Sequence, residues 1–289
     1  EWFHENRLFD MHQASYNMAI ETAIKNSNIE ILDYLYEIYV WRYNDYEGCF
    51  SHRIMNIAIM YSDLEIIKWL HNRIKYYSYK EMIIGAKYRD INIFTWLHNN
   101  RGLNTIGVNE DIDSIIEHPL DNKNRSIIFA AESGNIEIVK FIYKREYNIS
   151  LGILQDTVNA AAKNGYIDII NFLEQNNQWV KIYNKYAMTY AAEGGNLNII
   201  KYIQNTKYIS EQKKVCNKAA IDLAALNGHL HVIKWLHKNR REGSSITSLY
   251  NASKKGHLNI IKWLTENKKE LVCGKKLIAY AAYNGSLET

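Results

Sequence analysis

Between Gly228 and Arg240 the chain reads GHLHVIKWLHKNR, and from Gly256 it reads GHLNIIKWLTENK. The same phrase appears upstream as GNLNIIKYI from Gly195, GYIDIINFL from Gly165 and GNIEIVKFI from Gly134. Weaker copies start at Arg89 (RDINIFTWL), Ser62 (SDLEIIKWL) and Ser27 (SNIEILDYL), and GSLET from Gly285 begins another. The steps between first residues are 35, 27, 45, 31, 30, 33, 28 and 29. A period in the range of about 20–50 residues marks a solenoid or array of one supersecondary unit. EWFHENR at Glu1–Arg7 matches the tail KWLHKNR at Lys234–Arg240. The chain is therefore expected to open and close inside repeats, as a piece of a longer protein, with about eight full copies between.

Each copy has the periodicity of two helices. In Leu230–Leu236 apolar residues cover most of a helix circumference, while His231, Lys234 and Lys238 form one polar stripe. Before each glycine lies a second apolar segment with small residues at its centre: IIFAAES, TVNAAAK, MTYAAEG, AIDLAAL and IAYAAYN. Paired alanines let helices approach closely. The unit is predicted to be short helix, glycine turn, longer helix, loop. Asn6, Asn100, Asn176, Asn239 and Asn267 recur at the end of the longer helix. They are expected to take the left-handed conformation of a C-cap. No useful period-2 alternation appears, so almost no sheet is expected.

The pattern AA-x-x-G-[HN]-[LI]-x-[IV]-[IV]-K-x-[LI] resembles the ankyrin repeat. The KWLHKNR and EGC (Glu47–Cys49) variants are similar to the divergent repeats of giant, mimivirus-like DNA viruses and of amoebae. The resemblance covers essentially the whole chain and implies one all-α solenoid over residues 1–289. It departs from the family in lacking the T-P-L-H opening and in having several repeats shorter than about 33 residues. The β-hairpin fingers are therefore expected to be short or absent. Residues 98–125 break the rhythm as an irregular insertion. They hold the single proline, Pro119, expected in a loop, and an acidic cluster of Glu110, Asp111, Asp113 and Glu117. Within them NEDIDSIIEH has the pattern of an extra helix.

Composition narrows the function. Cys49, Cys216 and Cys273 are far apart, with no CxxC pair. That argues against a disulfide framework or a zinc site and suits a reducing compartment. No apolar run approaches a membrane span. A cytoplasmic protein is expected, in the host cytoplasm if the chain is viral. His4, His71, His98 and His237 share one register. Repeats are about 8–10 Å apart, whereas metal ligands converge to about 2 Å from one point, so these histidines are expected to be structural. Trp69, Trp96, Trp235 and Trp263 also share a register and are expected in the core rather than as a base-stacking ladder. No GxSxG, HExxH, phosphate-binding loop or GxGxxG motif occurs. Neither catalysis nor a cofactor is expected.

The resemblance implies a protein-interaction scaffold. In that family the two residues between the small pair and the glycine face the partner on the concave side. Here those positions include Met60, Tyr61, Lys87, Tyr88, Glu132, Lys163, Glu193 with Gly194, Leu226, Lys254, Lys255 and Tyr283. They vary from repeat to repeat while the framework does not, as a surface read by one specific partner requires. Charge adds a second indication. Residues 200–289 carry 16 Lys+Arg against 6 Asp+Glu, within a chain of net charge +4. The basic loops with Arg240, Arg241, Lys268, Lys269, Lys275 and Lys276 suggest an acidic protein partner, including a second copy stacked head to tail. Nucleic acid or another acidic polymer is the alternative, ranked below because Glu132 and Glu193 lie among the interaction positions. A third reading is an adaptor whose further module recruits a ubiquitin ligase.

Overall fold

The computed structural model describes residues 13–43, 50, 52–74, 79–88, 90–101, 119–145, 149–177, 181–206, 218–240 and 245–267. They form sixteen helices, and no strand occurs among the described residues. In chain order these are α1 (Gln13–Lys25), α2 (Ile29–Tyr43), α3 (His52–Tyr61), α4 (Leu64–His71), α5 (Tyr79–Tyr88) and α6 (Ile91–Arg101). Then come α7 (Pro119–Glu132), α8 (Ile136–Arg145), α9 (Leu151–Asn164), α10 (Ile167–Asn176) and α11 (Ala187–Glu193). The last are α12 (Leu197–Asn205), α13 (Ala219–Leu226), α14 (Leu230–Asn239), α15 (Ile246–Lys255) and α16 (Leu258–Asn267). Odd-numbered helices are the first of each pair, even-numbered ones the second. First helices are not consistently the shorter: α9 has 14 residues and α10 has 10. The alanine-centred phrase is only the packed part of a helix that begins upstream, as at Leu151 behind its Ser150 cap.

The chain divides between Ser126 and Ile127 into two compact units. In the first, α1 packs on α3 and α3 on α5, each against its own second helix. Its core includes Ile20, Ile24, Leu32, Ile59, Ile67, Leu70, Phe94 and Leu97. In the second, α9, α11, α13 and α15 pack in succession. Ala161, Ala162, Ala191, Ala192, Ala224 and Ala225 are fully buried where these helices meet. The apolar pairs of the second helices, such as Ile169–Ile170 and Val232–Ile233, are buried with them.

The turns close each pair in a recurring way. Gly134, Gly165, Gly195, Gly228 and Gly256 have φ between 72° and 90°, and Ser27 takes the same left-handed region at 49°. The next residue reaches back to the preceding repeat. The Asn196 amide donates to the carbonyls of Ala162 (2.9 Å) and Lys163 (2.8 Å). His229 Nε2 lies 3.1 Å from the Glu193 carbonyl, and His257 Nε2 3.1 Å from that of Leu226. In the first unit the Ser62 hydroxyl donates to the Ile24 carbonyl. These carbonyls end a helix and lack an intrahelical partner. The turns at Ser62, Asn196, His229 and His257 therefore cap the first helix of the repeat before them.

Three expectations are corrected. The helix-ending asparagines are not left-handed; among the described residues Ser27 is the sole non-glycine with positive φ. Instead the side-chain amides of Asn100, Asn176, Asn239 and Asn267 donate to the carbonyl four residues back, at 2.8, 2.7, 2.9 and 2.8 Å. The amide side chain adds a hydrogen bond to a carbonyl one turn back and so closes the helix end without any backbone reversal. Pro119 lies not in a loop but at the first position of α7, where its missing N–H and fixed φ cost nothing. Of the four tryptophans that share the register, only Trp69 is buried, at 8% exposure; Trp96, Trp235 and Trp263 are half-buried. Their rings lie at the edge of the stack, two of them against a histidine of the preceding repeat. Glu1–Arg7 with His4 and Asn6, the NEDIDSIIEH segment and its acidic cluster, and all three cysteines lie outside the described residues.

Candidate functional site

The face of the first helices away from the core is built by helical periodicity. Measured back from each turn, the two residues before it share a side with those one and two helical turns upstream. On α1, α3 and α5 this face carries Met18, Lys25, Met60, Tyr61, Lys87 and Tyr88. Tyr61 and Tyr88 are 55% and 53% exposed. In the second unit α7, α9, α11, α13 and α15 present Glu132, Lys163, Glu193, Leu226, Lys254 and Lys255, none of them buried.

Two further tyrosines belong here. Tyr190 and Tyr186 precede Glu193 by one and two turns on α11 and its cap, at 36% and 42% exposure. Leu223 takes the same place as Tyr190 on α13 and is partly exposed. Attention to the two residues nearest the turn missed all three. Stepping back by three and by seven from Glu193 and Leu226 finds them.

Cations lie beside the rings. Lys25 Nζ sits 5.6 Å from the Tyr61 ring centre, Lys87 Nζ 5.7 Å from Tyr88, and Lys185 Nζ 4.9 Å from Tyr186. Such pairs contribute about 0.5–1 kcal/mol at exposed sites, enough to bias ring orientation. Lys163 and Glu193 form an ion pair at 2.7 Å across α9 and α11. Gly194 belongs to packing instead. A Cβ there would lie 1.7 Å from the Lys163 carbonyl oxygen, so this position is held small by its neighbour and is not a free surface choice.

Other expected contacts fall elsewhere. Arg240 caps α14, and its guanidinium donates to Gln204 Oε1 at 3.0 Å. It ties two second helices together and is not part of the first-helix face. Arg241, Lys268, Lys269, Lys275, Lys276 and Tyr283 lie outside the described residues. Among the shared-register histidines, His71 and His237 meet Trp96 and Trp263 edge to face, each at 5.2 Å. His98 is buried at 8% exposure beside Phe94. Among the described residues no group of three His, Cys, Asp or Glu is arranged to hold a metal.

Among the described residues two titrating groups are perturbed, both inside repeat junctions. Burial raises the Tyr202 phenol to about 12, helped by its 2.5 Å hydrogen bond to the Glu174 carboxylate. The same carboxylate accepts from Tyr183 at 3.0 Å. Burial lowers His229 below the ordinary imidazole value; positive charge on His231 and His257 acts the same way, against its bond to the Glu193 carbonyl. Both groups hold repeats together.

Comparison with known families agrees with this architecture. Residues 158–246 match the family model of the ankyrin repeats, in three copies. The matched segment runs from within α9 to the first residue of α15, and the same helix–turn–helix unit recurs on both sides of it. No curated protein matches the chain. No helix among the described residues is long and apolar enough to cross a membrane.

Proposed function

We propose that the chain is a non-catalytic scaffold that binds a protein partner on the exposed face of its first helices. Ankyrin repeats generally mediate protein–protein contact, and the face here has the chemistry for it. The observation that carries the reading is the set of exposed tyrosines, Tyr61, Tyr88, Tyr186 and Tyr190, on a framework whose core positions hardly change. Tyrosine offers large, stiff contact area with a polar end, and aromatic residues dominate interface energetics. In the first unit Met60 adds apolar contact and Lys25 and Lys87 add charge; in the second Leu226 and Leu223 add apolar contact, with Glu132, Lys163, Lys254 and Lys255 as charged neighbours on the same helix series. The resemblance to viral repeats supports a host protein as the partner.

Affinity capture with mass spectrometry tests the reading. The wild-type chain is compared with Tyr61→Ala/Tyr88→Ala and Tyr186→Ala/Tyr190→Ala variants that retain their helical circular dichroism. A partner is expected that wild type enriches and at least one double variant loses, with affinity reduced about tenfold or more, as for loss of interface aromatics. Partners retained equally by both variants place binding on another surface.

A further inference from the structure

The second helices of three consecutive repeats carry lysine at one register. Lys201 on α12, Lys234 on α14 and Lys262 on α16 each follow a buried or half-buried aliphatic pair, and all three are exposed. α12 packs on α14, and the packing of α13 on α15 sets α16 in the next place. Packed neighbouring helices lie roughly 8–10 Å apart, and the equivalent register on successive second helices puts the lysines in sequence along them. One turn earlier stand Asn198, His231 and Asn259, and one turn later on α14 stands Lys238, all exposed. Glu266 is the one carboxylate in the sequence of these three helices. None of the three lysines forms an ion pair with a described residue. Upstream the same register keeps an exposed lysine at Lys68 and a lysine at Lys140, but each follows a glutamate three residues back, Glu65 and Glu137, the second paired at 2.8 Å, and α10 has Asn171 after Asp168.

The scarcity of apolar surface decides what this row suits: the largest apolar side chains of α14 and α16, Trp235 and Trp263, are half-buried. No large hydrophobic side chain is exposed on α12, α14 or α16. An exposed ion pair contributes about 0.2–1 kcal/mol, so an acidic protein segment would also need apolar anchors. A nucleic-acid backbone does not need them, because each neutralised phosphate releases condensed counterions. We propose that the α12–α14–α16 surface binds the phosphate backbone of nucleic acid, with Lys201, Lys234 and Lys262 as contacts. Lysine contacts to phosphate position a duplex without reading its bases, so binding is independent of sequence. The site uses other helices than the first-helix face and does not rest on the protein-binding reading.

Fluorescence anisotropy of a labelled mixed-sequence DNA duplex, titrated with the full chain at several salt concentrations, tests it. Wild type is expected to bind at low salt and to weaken log-linearly as salt rises. Lys201→Gln/Lys234→Gln/Lys262→Gln should reduce the salt slope by about 0.9 per lost contact. Lys201→Glu/Lys234→Glu/Lys262→Glu should lower affinity further, and Tyr186→Ala/Tyr190→Ala should leave it unchanged. The Gln variant keeps the test decisive if charge reversal unfolds the chain, which thermal melting detects. The proposal is overturned by a wild type that ignores the duplex at low salt, by an unchanged slope in the Gln variant, or by equal loss in the tyrosine variant. Displacement of the DNA by poly-glutamate at lower charge concentration than by unlabelled duplex also overturns it, in favour of an acidic protein.

Discussion

At Gly194 the backbone of one repeat passes against the backbone of the one before. A Cβ there would stand 1.7 Å from the Lys163 carbonyl oxygen and 2.7 Å from Asn196 Nδ2. Backbone on one side and a hydrogen-bonded amide on the other leave little room to relax. Gly194→Ala is therefore expected to destabilise by about 1–3 kcal/mol or more, read as a lower urea midpoint. Gly152 on α9 is the control, since the nearest atom to its added Cβ is 4.0 Å away. Gly152→Ala should be neutral or stabilising by up to about 1 kcal/mol. His229 fills the equivalent of Asn196 one repeat later, and its environment disfavours the imidazolium: burial first, then the nearby His231 and His257. The folded pKa is depressed, so the unfolded chain binds the proton more readily. Stability should be unaffected by this group well above about 6.5 and should fall as pH drops below that value. Asn196 already performs the same capping with an amide, so His229→Asn is expected to flatten that part of the pH dependence. A urea midpoint that varies with pH equally in wild type and variant assigns the effect to other groups.

The helices show where a periodic sequence is legible and where it is not. Helix type and order follow directly from phrases such as GHLHVIKWL, because 3.6-residue periodicity and glycine turns are local signals. The exposed stripe of His231, Lys234 and Lys238 was legible for the same reason. The tryptophan register was less so, because position on an apolar helix does not say whether a neighbouring repeat covers the ring. Trp69 is covered: its indole donates to Asp33 at 2.7 Å, Phe50 and Tyr36 meet it edge to face, and the Arg73 guanidinium lies 3.9 Å from its ring centre. Trp235 is half-buried. Trp69→Ala is thus expected to cost about 3–5 kcal/mol, and Trp235→Ala distinctly less, in thermal or chemical unfolding. Equal losses would mean that the edge position of Trp235 contributes as much as a closed aromatic cluster. The face proposed for a partner divides in the same way. Residues beside the turn could be found by alignment to glycine, whereas Tyr186 and Tyr190 required the helix to be extended upstream of its alanine pair.

Over the whole molecule, stability in a stacked array is approximately the sum of each repeat and its junctions with neighbours. The junctions seen here are of that kind. The Asn196, His229 and His257 side chains bond to the repeat immediately before, and Arg240 reaches back to Gln204. The second unit has its own core: Ile127, Ala130, Ala131, Ile138, Val139 and Ile142 are buried at its start, and Ile260 and Leu264 in the last described helix. The unit boundary at Ser126 falls inside α7, whose natural start is Pro119, a residue suited to the first position of a helix. A fragment comprising residues 119–289 keeps α7 whole together with every junction from α8 to α16. It is expected to fold by itself, with a helical circular dichroism spectrum and cooperative thermal unfolding. A second fragment starting at Ile127 removes the first turns of α7 and should melt at a lower temperature, because only the terminal repeat is weakened. If the 119–289 fragment were unfolded, the repeats before Pro119 would be required to hold the later ones, and nearest-neighbour additivity would not describe this chain.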